Sequence, residues 1–187
     1  DQTVVDHLIG MEIVEGDAML RQEAVTGLLR LRLGGKRLEF PVEPLRRQIT
    51  REVANYRHIV HLVRIYQQHR VGPSPANDPI LSLFKVLLQE SVEQVFRLLM
   101  LLYRPEDIHL VYEQLRAPES FLRSDAVELL ENLVDSAMRA MIFPVLDEER
   151  FLSVMEEPPG IPMEPALACR LLQDAIWDHN CWLSVTT

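Results

Sequence analysis

Cysteine is scarce in this chain: Cys169 and Cys181 are the only two among 187 residues. That is too few for a disulfide framework, and the pair lacks metal-ligand spacing. Both stand among apolar residues, so they read as reduced, partly buried thiols of an intracellular protein. Glycine is sparse as well, at seven residues, which excludes a collagen-like fibre. No apolar run reaches the roughly 18 residues of a membrane span, and no signal peptide opens the chain. Positive charge is the minority sign, Lys+Arg 19 against Asp+Glu 28, for a formal charge of -9. Such a domain repels phosphate backbones unless its cations cluster on one face. The densest cationic stretch holds Arg30, Arg32, Lys36, Arg37, Arg46, Arg47 and Arg51, with Glu39, Glu43 and Glu52 between them. Spread around helices, these read as a solvated mixed-charge surface, and no nucleic-acid partner is expected. Strand signals are nearly missing too, since β-branched alternation is rare.

What the chain has in quantity is apolar residues, 48% of the total, beside 25% charged residues. That balance describes one globular domain, here 1–187, able to bury a sizeable core, and not a disordered tail. Asp1 in place of a start methionine, and an apolar segment cut at Thr187, lead us to expect a piece of a longer protein.

Apolar residues recur at helical spacing almost everywhere. Leu20, Ala24, Val25, Leu28, Leu29 and Leu31 form one stripe after Asp17, an expected N-cap, and Gly34-Gly35 should end that helix in a left-handed turn. Pro41 and Pro44 mark the start of a long helix through Leu45, Ile49, Val53, Tyr56, Ile59, Val60, Val63 and Tyr66. The proline-rich stretch 71–79 reads as a loop, and a third long helix runs from Leu83 to Tyr103. Pro105 opens a shorter helix, Glu119 or Ser120 caps the next, and a short one around Met138 to Phe143 meets Pro144. Residues 156–165 read as a second loop before a helix through Leu167, Leu171, Leu172 and Ile176. The expectation is all-α, with about eight or nine helices, two of them unusually long.

Two segments repeat. Leu20-Arg21-Gln22-Glu23-Ala24-Val25 matches Leu122-Arg123-Ser124-Asp125-Ala126-Val127 at four of six positions, with the acid kept at a fifth. Leu28 and Leu31 correspond to Leu130 and Leu133, and Asp17 and Glu119 stand three residues ahead of each copy. Arg21 and Arg123 lie 102 residues apart, close to three units of a period of about 34 residues. Stacked helical hairpins would give this recurrence, because each unit buries the same face against its neighbour.

The cap-x-x-Leu-Arg-x-x-Ala-Val pattern resembles the second helix of a HEAT repeat. The resemblance implies an α-α superhelix in which Arg21 and Arg123 bond acids of adjacent repeats. It also implies that Ala24 and Ala126 allow close helix packing. A third start, Asn180-Cys181-Trp182-Leu183, carries Ser184 where the arginine belongs. Over more of the chain, LRQEAVTGLLRLR, REVANYR, ESVEQVFRLLMLLYRPEDI and SDAVELLENLVDSAMRAMIFPVLDE are similar to HEAT segments of bacterial multidomain proteins. In those proteins an ATP/ADP-translocase-like carrier precedes the segment, and a cyclic-nucleotide-binding domain sometimes follows it.

No sequence constellation carries a reaction. His58 and His61 stand i, i+3 on a helix, yet no third ligand supports them, so surface histidines are expected. His179 with Cys181 is a two-residue pair without partners, and Leu33-Gly34-Gly35-Lys36 follows a helix instead of a strand, unlike a phosphate loop. Glu90, Glu93 and Arg97 fit a salt-bridged helix face. The expectation is therefore no enzyme, no cofactor and no metal, but a scaffold or linker that makes protein contacts. It would sit in the cytoplasm, at the face of a membrane through a carrier-containing parent, without inserting in the bilayer. Trp182, Leu183 and Phe151 are the expected partner-facing residues, and the C-terminal end is expected to self-associate. Two other readings stay open: a free-standing adaptor binding a peptide or helix in its groove, and an all-α enzyme using dispersed residues such as His58, His61 and Glu90.

Overall fold

The computed structural model describes residues 2–13, 18–34, 38–69, 78–117 and 119–146. These form seven α-helices, and no strand occurs among the described residues. Helix α1 (Gln2–His7) continues into a π-helical turn, Leu8–Ile13, and α2 follows at Ala18–Leu33. Then come the two long helices, α3 (Val42–His69) and α4 (Pro79–Leu102), and the shorter α5 (Pro105–Leu115), α6 (Ser120–Leu133) and α7 (Ser136–Leu146). The all-α expectation thus holds. The stretches 70–77 and 147–187, including the second expected loop and last helix, lie outside the described residues.

Helices α3 and α4 pack as a hairpin, and their heads explain their boundaries. Pro79 is the first residue of α4, not the last of a loop, because a proline at N1 gives up only an N–H that has no intrahelical acceptor. Asp78 is the N-cap: its Oδ1 accepts the N–H groups of Ile80 and Leu81 at 2.9 and 3.3 Å. The Tyr66 hydroxyl donates to Asp78 Oδ2 at 3.0 Å, so the cap of α4 also fastens the end of α3. Halfway along, Asn55 Nδ2 donates to Ser91 Oγ at 3.3 Å, which sets the register of the hairpin.

Around that hairpin, α2 packs on α4, α5 also packs on α4, α6 on α5, and α7 on α3. A single apolar cluster joins these helices, from Val25 and Leu28 through Leu45, Ile49, Phe96, Leu98 and Leu99 to Ile108, Leu130 and Ile142. α4 is buried over most of its length, as its nearly all-round apolar sequence requires.

Three details depart from the sequence reading. Leu20, placed on the apolar stripe of α2, is 50% exposed, while its neighbour Arg21 is buried. And although α2 ends at Leu33, directly before Gly34 as expected, Gly34 itself (Gly35 lies outside the described residues) is not left-handed, its N–H bonding the Arg30 carbonyl at 3.0 Å. A Cβ there would stand 3.3 Å from the Arg30 oxygen and 3.4 Å from that of Leu31, so glycine is preferred for space instead of for φ. Pro144, expected to kink or end its helix, does not end α7, which runs on to Leu146.

Candidate functional site

Among the described residues, polar side chains from several helices meet at the C-terminal end of α4. Tyr103 closes that helix, its N–H bonding the Leu99 carbonyl at 2.8 Å. Its own carbonyl accepts from Arg32 Nη2, in the last turn of α2, at 2.9 Å. Its hydroxyl donates to Asp135 Oδ2 at 3.0 Å. Arg46, in the second turn of α3, pairs with the same carboxylate oxygen at 2.5 Å. The other oxygen, Oδ1, accepts the N–H of Met138 at 3.1 Å and caps α7. One aspartate in the α6–α7 turn therefore ties together α3, α4 and α7, and Arg32 adds α2.

The charges follow from these contacts. The Met138 N–H is the largest influence on the Asp135 carboxyl and holds it below the usual aspartate range; slight burial opposes this, and Tyr103 and Arg46 reinforce it. Burial, then Asp135, pushes the Tyr103 phenol up, so it stays a protonated donor. Burial also pulls the Arg32 guanidinium down, against the opposing charge of Glu106, while its plane lies over the Phe40 ring at 5.1 Å. An ionised acid already holding three donors, beside a phenol locked as a donor, is poor equipment for acid–base or nucleophilic chemistry. It is well suited to fixing helices.

Asp135→Ala should therefore cost about 1–2 kcal/mol, mostly from the lost N-cap and the Tyr103 hydrogen bond. The ion pair adds little, because 34% of the Arg46 side chain and 41% of the Asp135 side chain are exposed. The folded pKa is depressed, so this stabilisation is present above the ordinary aspartate range and is lost as pH falls through the depressed value. Acid unfolding of Asp135→Asn against the parent, followed by circular dichroism, checks it: the parent should lose more stability than the variant on acidification.

The residues singled out from sequence fall in several places. Ala24 and Ala126 are both buried, as are the matching leucines Leu28 and Leu130. Arg21 is buried, whereas Arg123 is half-buried and donates from Nη1 to the Ala117 carbonyl at 3.2 Å, bracing α6 against the turn before it. Glu119 occupies the N-cap position of α6 without a side-chain capping bond. Removing the Arg123 contact by Arg123→Ala should cost about 1 kcal/mol in chemical denaturation. Trp182, Leu183, Phe151, Cys169, Cys181 and His179 lie outside the described residues. His58 is half-buried and His61 exposed on α3; Glu90 is half-buried on α4, its carboxyl raised by burial and by Glu93 against Arg97. Glu93 pairs with Arg97 at 2.5 Å, the expected helix-face bridge.

Among the described residues, no three or more His, Cys, Asp or Glu side chains gather to hold a metal ion, and no helix is long and apolar enough to cross a membrane. The sequence reading assigns no role to Tyr103, Arg32, Arg46 or Asp135 in such a cluster; Asp135 before Ser136 and an apolar run is the one local signal, of an N-cap, that could have found any of them.

One sequence reading needs correcting. On α3 the interleaving is confined to the first turn: exposed Glu43 stands one turn before Arg47 on the outer half of the helix, and beyond it Arg46, Arg47, Arg51, Arg57 and Arg64 share that half without a further acid. Glu52 lies on the opposite half, where it accepts from the buried Gln48 at 2.7 Å. No family model, no curated protein and no solved structure matches this chain.

Proposed function

We propose that this chain is a non-catalytic helical scaffold, an α-α superhelix of HEAT type that holds other protein segments at fixed positions within a carrier-containing membrane-associated protein. The observation that carries the reading is the Asp135 bracket. It joins side chains 89 and 32 residues apart in sequence and stiffens the helix assembly at the end of its central hairpin. Asp78 does the same at the other end, so the long α3–α4 pair is clamped at both ends. A spacer needs such stiffness; a binding pocket closed by moving lids would need less of it. The two copies of the Leu-Arg-x-x-Ala-Val pattern, with the same alanine and leucine positions buried in each, support the repeat architecture.

An immunoblot of the source cells with antibodies against this chain tests the setting. The scaffold-in-carrier reading expects a band much larger than 21.6 kDa in the membrane fraction. A soluble band close to that mass would overturn it in favour of a free adaptor.

A further inference from the structure

The outer face of α3 is an arginine strip in an acidic protein. Arg47, Arg51, Ala54, His58 and His61 follow one another in steps of four and three, and Arg57 and Arg64 flank the row. Arg47, Arg51, Arg57 and His61 are exposed, and Arg64 is half-buried. Every cation of the helix other than its histidines is an arginine. Between Glu43 and the end of α3 the only acid is Glu52, which points to the other side.

Arg46, at one edge of the strip, is neutralised by Asp135. Among the described residues, none of Arg47, Arg51, Arg57, Arg64 or His61 hydrogen-bonds or pairs with a carboxylate, although acids outnumber Lys and Arg by 28 to 19. From Arg47 to Arg64 the row extends about 25 Å at 1.5 Å per residue.

We propose that this strip is the docking surface for an acidic helical segment of a partner protein. The proposal rests on the scaffold reading and supplies the chemistry of its partner. Three observations select that occupant. First, the cations repeat with the helical period, so carboxylates at i, i+3 and i+4 on a facing helix can meet them in register, and arginine engages carboxylates through two parallel bonds. Second, the strip is carried by a single helix, and α7 runs along its Arg46–Thr50 edge, with Thr50 Oγ1 3.3 Å from Met141 Sδ, so a partner of one helix's width matches it. Third, a duplex or a membrane plane carries negative charge well beyond the strip, against a chain of net charge -9. A short acidic helix carries charge only where the cations are.

The test is fluorescence anisotropy of the full chain with a labelled, helix-forming alanine peptide of about 20 residues, long enough to span the strip at about 30 Å. Its glutamates are spaced in steps of three and four. A second peptide has the same composition with the glutamates in steps of two. Saturable binding of the first is expected, at least several-fold tighter than the second, and falling steeply as salt rises from about 50 to about 500 mM.

The triple reversal Arg47→Glu/Arg51→Glu/Arg57→Glu should weaken binding by roughly tenfold or more, while Arg30→Glu, on α2, changes it less than about twofold. Among the described residues these arginines have no carboxylate partners to lose, so thermal melts of the variants should overlay the parent. Should the triple variant unfold, the neutralising pair Arg51→Gln/Arg57→Gln takes its place. Failure of the spaced peptide to bind, equal binding of both peptides, or equal binding by the reversed variant would overturn the proposal. So would tighter binding of a duplex of about 20 base pairs, or of vesicles rich in phosphatidylserine. None of these results changes the immunoblot outcome, so failure here is separable from failure of the scaffold reading.

Discussion

Phe96→Ala is expected to destabilise the fold by about 3–5 kcal/mol, the range for emptying a closed aromatic site. Phe96 is 0% exposed on α4, and its ring meets Tyr112 of α5 at a centroid distance of 5.0 Å, tilted by 40°. The loss has three parts: apolar area returned to solvent, the ring–ring contact, and the cavity left behind. α4 is the central helix here, touching α2, α3 and α5, so its neighbours cannot all close the gap together. Urea denaturation should show a lower midpoint at unchanged slope. A loss below about 1 kcal/mol would mean that the Phe96 site collapses readily or is wet, against a well-packed core.

Gln67→Met should act in the opposite direction. Gln67 lies near the end of α3, four residues after the fully buried Val63, and is itself 0% exposed. Neither its side-chain oxygen nor its nitrogen has a hydrogen-bond partner among the described residues. Burying an amide without partners forfeits its hydrogen bonds to water, and that cost exceeds the net value of an ordinary internal hydrogen bond. Methionine keeps the length and shape of the side chain and removes both polar atoms, so a gain of about 1–3 kcal/mol is expected in the same urea measurement. A destabilised variant would show that the amide is satisfied in solution by a water or a partner group, and would mark this end of the α3–α4 hairpin as polar in function.

Both sites illustrate a general asymmetry in this chain. Phe96 sits where the apolar period of α4 places it, between Val95 and Leu98-Leu99, and its burial follows from local pattern. Gln67 follows the same period on α3, a polar side chain at an apolar position. Periodicity alone predicts that it is buried and cannot say what it meets there. The same holds for Arg21. Its spacing puts it next to Ala24 and Val25 on α2, and the fold buries it while turning Leu20 outward, a rotation of the helix that only its packing neighbours decide.

The α3 face is a sharper case. Counted along the sequence, Arg46, Arg47 and Arg51 alternate with Glu43 and Glu52 and suggest a neutralised surface. The long helix leaves Glu43 beside Arg47 but separates Glu52, which falls on the opposite half of the turn cycle from the arginines. Beyond the first turn the mixing was a property of the linear order and not of the surface. Knowing that α3 is uninterrupted from Val42 to His69, and which of its sides packs on α4, is what converts a charge count into a patch.

By itself, then, the sequence determined the class and the elements. Helical apolar spacing, Pro105 at a helix start, and the matched positions of Ala24 with Ala126 and Leu28 with Leu130 were all readable, whereas Pro79 reads as loop and the capping by Asp78 and Asp135 came only from the structure. Each readable feature depends on contacts within a few residues or on a periodic pattern. Tertiary structure decided what those elements do to one another. Asp135 gathers Arg46 from 89 residues away and Tyr103 from 32, and Arg32 reaches the Tyr103 carbonyl across 71. No local rule reports pairings over such separations, because they exist only once the apolar core has brought four helix ends to one place.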